Sequence, residues 1–278
     1  MGVDLAGSPW RTVAASVAGT SHTAAGQPCA DASSVRVLGA RRTGSLLVAA
    51  VSDGAGSAER AGEGARLACA AVIGQAEAWA RRHRRRRAVS SFSQRDAVAW
   101  TQTAREKIEE AAGLAHRESR DYSCTLLVAL VDGASAAFFQ IGDGAIVYRA
   151  AGGDYAPALW PQSGEYANCT FFVTDEAAAD RVQAAWAEGV HEVALLTDGL
   201  QALALRFDRR EAHAPFFEPM FARLRSDVGP AVERLDHELR AFLDSRAVNQ
   251  RTDDDKTLVL ATRLGPAHGL RAPGGEGG

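Results

Sequence analysis

The chain is short of the features that would take it out of the cytoplasm. It has four cysteines, Cys29, Cys69, Cys124 and Cys169. They are far apart and form no C-x-x-C pair, which predicts buried thiols in a reducing compartment. No apolar run reaches the ~18 residues of a membrane span. A basic and apolar leader is missing from the N-terminus, and Ala6 breaks the Met-Gly myristoylation pattern. A cytoplasmic protein without membrane contact is expected. An excess of one charge is also missing. Lys and Arg number 31 against 34 Asp and Glu, a net charge of −3, so no global field draws the chain toward nucleic acid. The Cys-x₅-Arg, G-x-S-x-G and G-x-x-x-x-G-K-[ST] patterns are all absent, which removes the common cysteine-nucleophile, serine-hydrolase and P-loop chemistries.

What the chain has is apolar mass and one repeated phrase. Its 278 residues are 46% hydrophobic, enough for a sizeable core, and a single domain is expected. The stretch LLVAAVSDGAGS, Leu46 to Ser57, is an apolar run that stops at Asp53 and Gly54. It reads as a buried strand that fixes a carboxylate at the rim of the core. The phrase recurs as FFQIGDGAIVY with Asp143 and as VALLTDGL with Asp198. Any one Asp-Gly is a common hairpin turn. Several carboxylates at one sheet edge repel one another unless cations lie between them, and hard cations such as Mg²⁺ suit such oxygen ligands.

Strands are expected at Thr12–Ala18 and Ala32–Leu38, flanking a polar loop that exposes His22 and Asp31. Two amphipathic helices follow Asp53, one with a stripe of Ala61, Ala65, Ala68, Val72, Ala76 and Trp79, the other with Ala97, Thr101, Ala104, Ile108, Ala111 and Ala115. The basic run Arg81 to Arg87 between them is either an acidic-partner patch or a solvated helix end. Ser123–Val131, Ala136–Ile141 and Ala145–Tyr148 read as a three-strand meander, and Asn168–Thr174 as a further strand. Val193–Leu196 delivers Asp198, helices are expected at Pro215–Leu224 and Pro230–Leu243, and the polar loop ending in Asp253, Asp254 and Asp255 feeds a last strand, Thr257–Thr262. Residues 1–10 are expected to be a loose arm, 11–263 one domain, and 264–278 a disordered glycine-rich tail. Strands interrupted by helix pairs predict an α+β fold of antiparallel sheets covered by helices. Asp253-x-Asp255-x-Thr257 also fits the nucleophile loop of haloacid-dehalogenase-like enzymes, but it precedes the last strand instead of following the first.

In order, SDGAGS, SCTLL, IGDGAIV, LLTDGL and DDKTLVL resemble the metal-dependent type 2C (PPM) protein phosphatases. The bacterial branch is closest, through Gly19, Ser21, His22, Pro28, Cys29 and Asp31 and the GEYAN segment at Gly164 to Asn168. The resemblance spans roughly residues 12 to 262. It implies a four-layer α-β-β-α sandwich of two antiparallel sheets flanked by helix pairs. It also implies hydrolysis of phosphoserine and phosphothreonine by water at two, or three, Mn²⁺ or Mg²⁺ ions. Asp53 then matches the bridging ligand and Gly54 a carbonyl ligand, with Asp198 and Asp254 completing one metal. Asp31 matches the outer-shell aspartate of the second, and Asp143 shares a third with Asp198. His22 is a candidate for phosphate contact or for the proton. The implied partners are phosphoproteins and a serine/threonine kinase or its targets, and a monomer is expected. Gly26 stands where the family carries a phosphate-gripping arginine, Ala30 where it carries a carboxylate or amide, and Ala55 where many members carry histidine. Such losses also suit a non-enzymatic alternative, a pseudophosphatase binding phosphoproteins or a kinase. Metal-dependent turnover separates the two.

Overall fold

The computed structural model describes residues 8–39, 45–83, 89–162, 170–226 and 232–264. In chain order its strands are β1 (Trp10–Val17), β2 (Ala32–Leu38), β3 (Leu46–Ser52), β4 (Leu126–Val131), β5 (Ser135–Ile141), β6 (Ala145–Ala150), β7 (Tyr155–Leu159), β8 (Gln183–Glu188), β9 (Val190–Leu196), β10 (Leu205–Arg206), β11 (Glu211–Ala212) and β12 (Lys256–Arg263). They form two five-stranded sheets, β1-β12-β9-β6-β7 and β2-β3-β4-β5-β8, and a two-stranded ribbon, β10-β11. Every neighbouring pair in the two large sheets is antiparallel.

Successive side chains of a strand face opposite sides, and here both sides are covered. β3 is buried at all seven positions. Its Val48 and Ala50 pack on the helices, while Leu47, Ala49 and Val51 pack on the other sheet. β4 divides in the same way, with Leu126, Val128 and Leu130 outward and Leu127, Ala129 and Val131 inward. That is why these strands read as unbroken apolar runs with no polar alternation.

The helices Ala61–Arg82 and Gln94–Leu114 cover the β2-to-β8 sheet. The stripe predicted for the first is buried at all its positions. The second begins at a capping box of Ser93 and Asp96 and buries Ala97, Thr101, Ala104 and Ile108, but finishes on Ala112 in place of Ala111 and Ala115. Small residues let the first helix lie close. A Cβ on Gly64 would stand 2.0 Å from the Tyr122 carbonyl oxygen. The other sheet is covered by Ala214–Ser226 and Val232–Leu243, through Phe217, Phe221, Leu224, Leu235, Leu239 and Leu243. Burying each of these side chains contributes about 1.5–3 kcal/mol. The layers are therefore helix pair, sheet, sheet and helix pair, the sandwich the sequence led us to expect.

Several expectations are corrected. The meander does not form: β4 and β5 pair, but β6 pairs with β7 and β9 in the other sheet. Residues 142–144 are thus a crossing between sheets, with the left-handed conformation at Gly142 (φ +113°) and not at Gly144. Residues 170–174 form no strand; β7 and β8 supply the sheet edges instead. Trp10, assigned to the arm, opens β1 and is 1% exposed in the core between the sheets. The loop after β1 contains a helical turn, Thr20–Ala24. The GEYAN segment, Cys169, most of the basic run and the glycine-rich tail lie outside the described residues. No helix among the described residues is long and apolar enough to cross a membrane.

Candidate active site

Three of the predicted aspartates converge. Asp53, Asp143 and Asp198 each offer a carboxylate oxygen, and these oxygens all lie within 4.8 Å of one another. Each comes from a different connection, made rigid by side chains that replace missing sheet partners. Past the end of β3, the Asp53 amide donates to Thr125 Oγ1 (2.9 Å) and the Thr125 amide to the Asp53 carbonyl (2.8 Å). Gly54 then bridges to Cys124. A Cβ there would meet the Ala30 carbonyl oxygen at 2.7 Å, so glycine is required by close packing and not by a turn. Asp198 opens a 3-10 turn after β9. The glycine that follows it lies against the next loop, where a Cβ would stand 2.1 Å from the Asp255 carbonyl oxygen. Asp143 sits at the sheet crossing. Its carboxylate accepts from Thr170 Oγ1 and its carbonyl from Gln201 Nε2.

The other predicted residues form a second layer. Asp31 is buried, contrary to the exposed position expected, because its end of the loop is tied to the residues that follow β9 and precede β12. Its Oδ2 accepts from Thr197 Oγ1 (2.9 Å), whose oxygen also accepts the Thr257 amide (2.9 Å). Asp31 Oδ1 is buried without a partner among the described residues. Asp254 is exposed at the rim, close enough to Asp143 and Asp198 to raise the pKa of both. Asp255 behaves differently. Its carboxylate accepts the amides of Gly19 (2.7 Å) and Ala30 (2.5 Å) and meets His22 Nδ1 at 2.9 Å. That carboxylate braces the loop, which removes it as a nucleophile. His22 is half-buried on its helical turn, oriented by this contact.

Electrostatics mark the cluster as unfinished. Burial, then the charges of Asp31 and Asp198, push the Asp53 carboxyl well above the usual range. Burial lifts Asp31 to about 7 against the hydrogen bond from Thr197. Asp198 is lifted to about 6, again by burial, with Asp143 and Asp254 adding to it. Crowded oxygens, an orphaned Asp31 Oδ1 and, among the described residues, a cluster with no nitrogen or sulfur donor fit hard divalent cations such as Mg²⁺ or Mn²⁺. Among the described residues the thiols offer no alternative. Cys69 and Cys124 are buried, and the Cys29 thiol is pushed up by its own burial and by Asp31 and Asp255.

These raised values carry a sign. In metal-free protein the folded state holds protons that the unfolded chain has released. The stabilisation is complete below the ordinary carboxylate range and is lost as pH rises through about 6 to 7. Cations bind the deprotonated form and offset the loss. The melting-temperature difference between Mn²⁺ and chelator should therefore widen from about pH 5 to pH 8. A difference that stays flat across that range would remove these carboxylates from the metal site.

Some supporting residues were not singled out from the sequence. Thr125 and Thr197 stood inside quoted motifs as apparent strand residues, and only the ends of β4 and β9 show them bonding to other loops. Lys256 is fully buried, donating to Asn249 Oδ1 (3.0 Å) and to the Asp254 carbonyl (3.3 Å). A lysine inside an apolar strand was the available signal.

The profile of protein phosphatase 2C matches residues 18–244. Serine/threonine-protein phosphatase 3 of Escherichia coli (strain K12) is 38% identical over 255 residues, covering 91% of this chain and 98% of that protein. Among solved structures, the catalytic domain of the serine/threonine protein phosphatase PstP, in complex with two manganese ions, superposes with a TM-score of 0.57 at 18% identity, covering 92% of this chain and 99% of that one. RsbX in complex with magnesium gives 0.52 at 15% identity, covering 91% and 94%. At these identities the two structures establish likeness of fold.

Proposed function

The chain belongs to the protein phosphatase 2C family and is a serine/threonine protein phosphatase, and on that premise we propose that it hydrolyses phosphoserine and phosphothreonine with Mn²⁺ or Mg²⁺. The observation that supports this reading is the convergence of Asp53, Asp143 and Asp198 within 4.8 Å, each from a separate connection. Asp53 would bridge two cations. The Gly54 carbonyl, Asp198 and Asp254 would complete one, Asp31 would serve the other through its unpartnered Oδ1, and Asp143 with Asp198 would take a third. When bound, such cations lower the pKa of a water and neutralise phosphoryl oxygens.

The protein's own groups set the geometry. Thr125 holds the Asp53 backbone, Thr197 orients Asp31, and Lys256 anchors the Asp254 backbone, so the carboxylates are fixed before substrate arrives. Water attacks phosphorus as the bond to the serine or threonine oxygen breaks, and that oxygen takes a proton from His22. Asp255 holds the His22 ring through Nδ1, and His22 lines the cavity beside the aspartates. The partners in this reading are phosphoproteins, including a serine/threonine kinase or its targets.

The test is phosphate release from a phosphothreonine peptide and an aryl phosphate, with Mn²⁺ and with chelator. Release should require the metal, and release that survives chelation would overturn the reading. Asp143 has a narrower test. Because 142–144 cross between sheets, its role is not that of a hairpin turn. Asp143→Ala should keep its melting temperature and bind two Mn²⁺ tightly, yet lose about tenfold in kcat and any activation at high metal concentration. Kinetics equal to wild type would remove Asp143 from the site.

A further inference from the structure

Beside the carboxylate cluster lies a cavity of about 560 Å³ with Ala30 and Ala55 in its wall, the chain neighbours of Asp31 and Gly54. Five acidic or basic side chains line it: His22, Glu59, Arg60, Glu63 and Arg66. Four of them are occupied. His22 meets Asp255, and Glu59 accepts from Arg117 at 3.1 Å. Arg60 donates to Tyr122 Oη and pairs with Glu63 at 3.3 Å, with its guanidinium over the Tyr122 ring. Arg66 is exposed and makes no hydrogen bond or ion pair among the described residues.

Its position is defined by two glycines. A Cβ on Gly62 would stand 3.5 Å from Arg66 Nη1 and 3.2 Å from the Ala30 Cα, while a Cβ on Gly54 would meet the Ala30 carbonyl oxygen at 2.7 Å. The guanidinium and the Asp53–Gly54 turn therefore both lie near Ala30. Arg66 stands on the second turn of the long helix Ala61–Arg82, a rigid mount.

A phosphomonoester approaching this site carries negative charge toward a cluster of aspartates. A cation on the approach offsets that repulsion, and a guanidinium can grip two phosphoryl oxygens at once. We propose that Arg66 receives the phosphate group of the substrate in this cavity. The proposal deepens the phosphatase reading and rests on it. Arg66 thus binds the group being transferred, while the aspartates hold the cations.

The experiment compares wild type, Arg66→Ala and Arg66→Lys, all loaded with Mn²⁺. An aryl phosphate and a phosphothreonine peptide serve as substrates, and inorganic phosphate is both inhibitor and calorimetric ligand. Arg66→Ala should raise KM for both substrates, and the dissociation constant of inorganic phosphate, by on the order of tenfold. Its Mn²⁺ affinity and melting temperature should match wild type, since Arg66 contacts neither an aspartate nor the core. Arg66→Lys should fall between, because an ammonium keeps the charge and loses the fork. Unchanged KM and phosphate affinity in Arg66→Ala would overturn the assignment. So would a rise in KM for the peptide alone, which would place Arg66 on the polypeptide flanking the phosphate. Wild type that binds phosphate through Arg66 but turns over neither substrate would instead overturn the phosphatase reading and leave the phosphate site standing.

Discussion

Asp53→Asn should lose phosphatase turnover by more than about a hundredfold, beyond the range for removing a mere outer partner of a ligand. The amide keeps the shape and one acceptor oxygen, but it carries no charge with which to bridge two cations. The same change relieves the repulsion that pushes the Asp53 carboxyl upward, which comes from burial, Asp31 and Asp198. The metal-free variant should therefore melt no lower than metal-free wild type, and at neutral pH should melt higher. Mn²⁺ should stabilise it less than it stabilises wild type. Loss of activity with a retained or raised metal-free melting temperature separates a missing ligand from a broken fold. Undiminished turnover in the variant would sink the two-cation assignment.

The strand-end aspartates could be found from sequence because burial on both faces turns a strand into an unbroken apolar run, and the run stops where the carboxylate begins. That they converge could not be read from the runs themselves. It depends on the crossing at 142–144, which carries the chain from β5 in one sheet to β6 in the other. An Asp-Gly pair looks the same at a hairpin and at such a crossing. The edge strands were hidden for a different reason. β8, QAAWAE, has no fully buried position, and β7 carries Pro157, so neither shows the apolar pattern of a central strand. The loop before Asp31 lacks the arginine that the resemblance to the family implies there. The guanidinium that lines the cavity beside that loop comes from a helix residue 40 positions further along the numbering from Gly26.

Asp254→Ala and Asp255→Ala should fail in different ways, although the residues are adjacent. Asp254 is exposed, and only its Oδ1 is engaged, by the Asp255 amide at 2.8 Å. Its Oδ2 has no partner among the described residues, and its backbone is held independently by Lys256. Removing this carboxylate should leave the melting temperature without metal nearly unchanged while Mn²⁺ affinity and turnover fall together. Asp255 is 3% exposed. Truncating it leaves the buried Gly19 amide without its acceptor, at about 1–3 kcal/mol, and the half-buried Ala30 amide with it. It also frees the His22 ring. Asp255→Ala should therefore melt several degrees lower and lose turnover mainly in kcat, while the folded fraction still binds Mn²⁺. Titration of Mn²⁺ with parallel melting curves distinguishes the two. If Asp255→Ala kept its melting temperature and lost metal binding, with Asp254→Ala close to wild type, the ligand would be Asp255 and the bracing role assigned to it would be wrong.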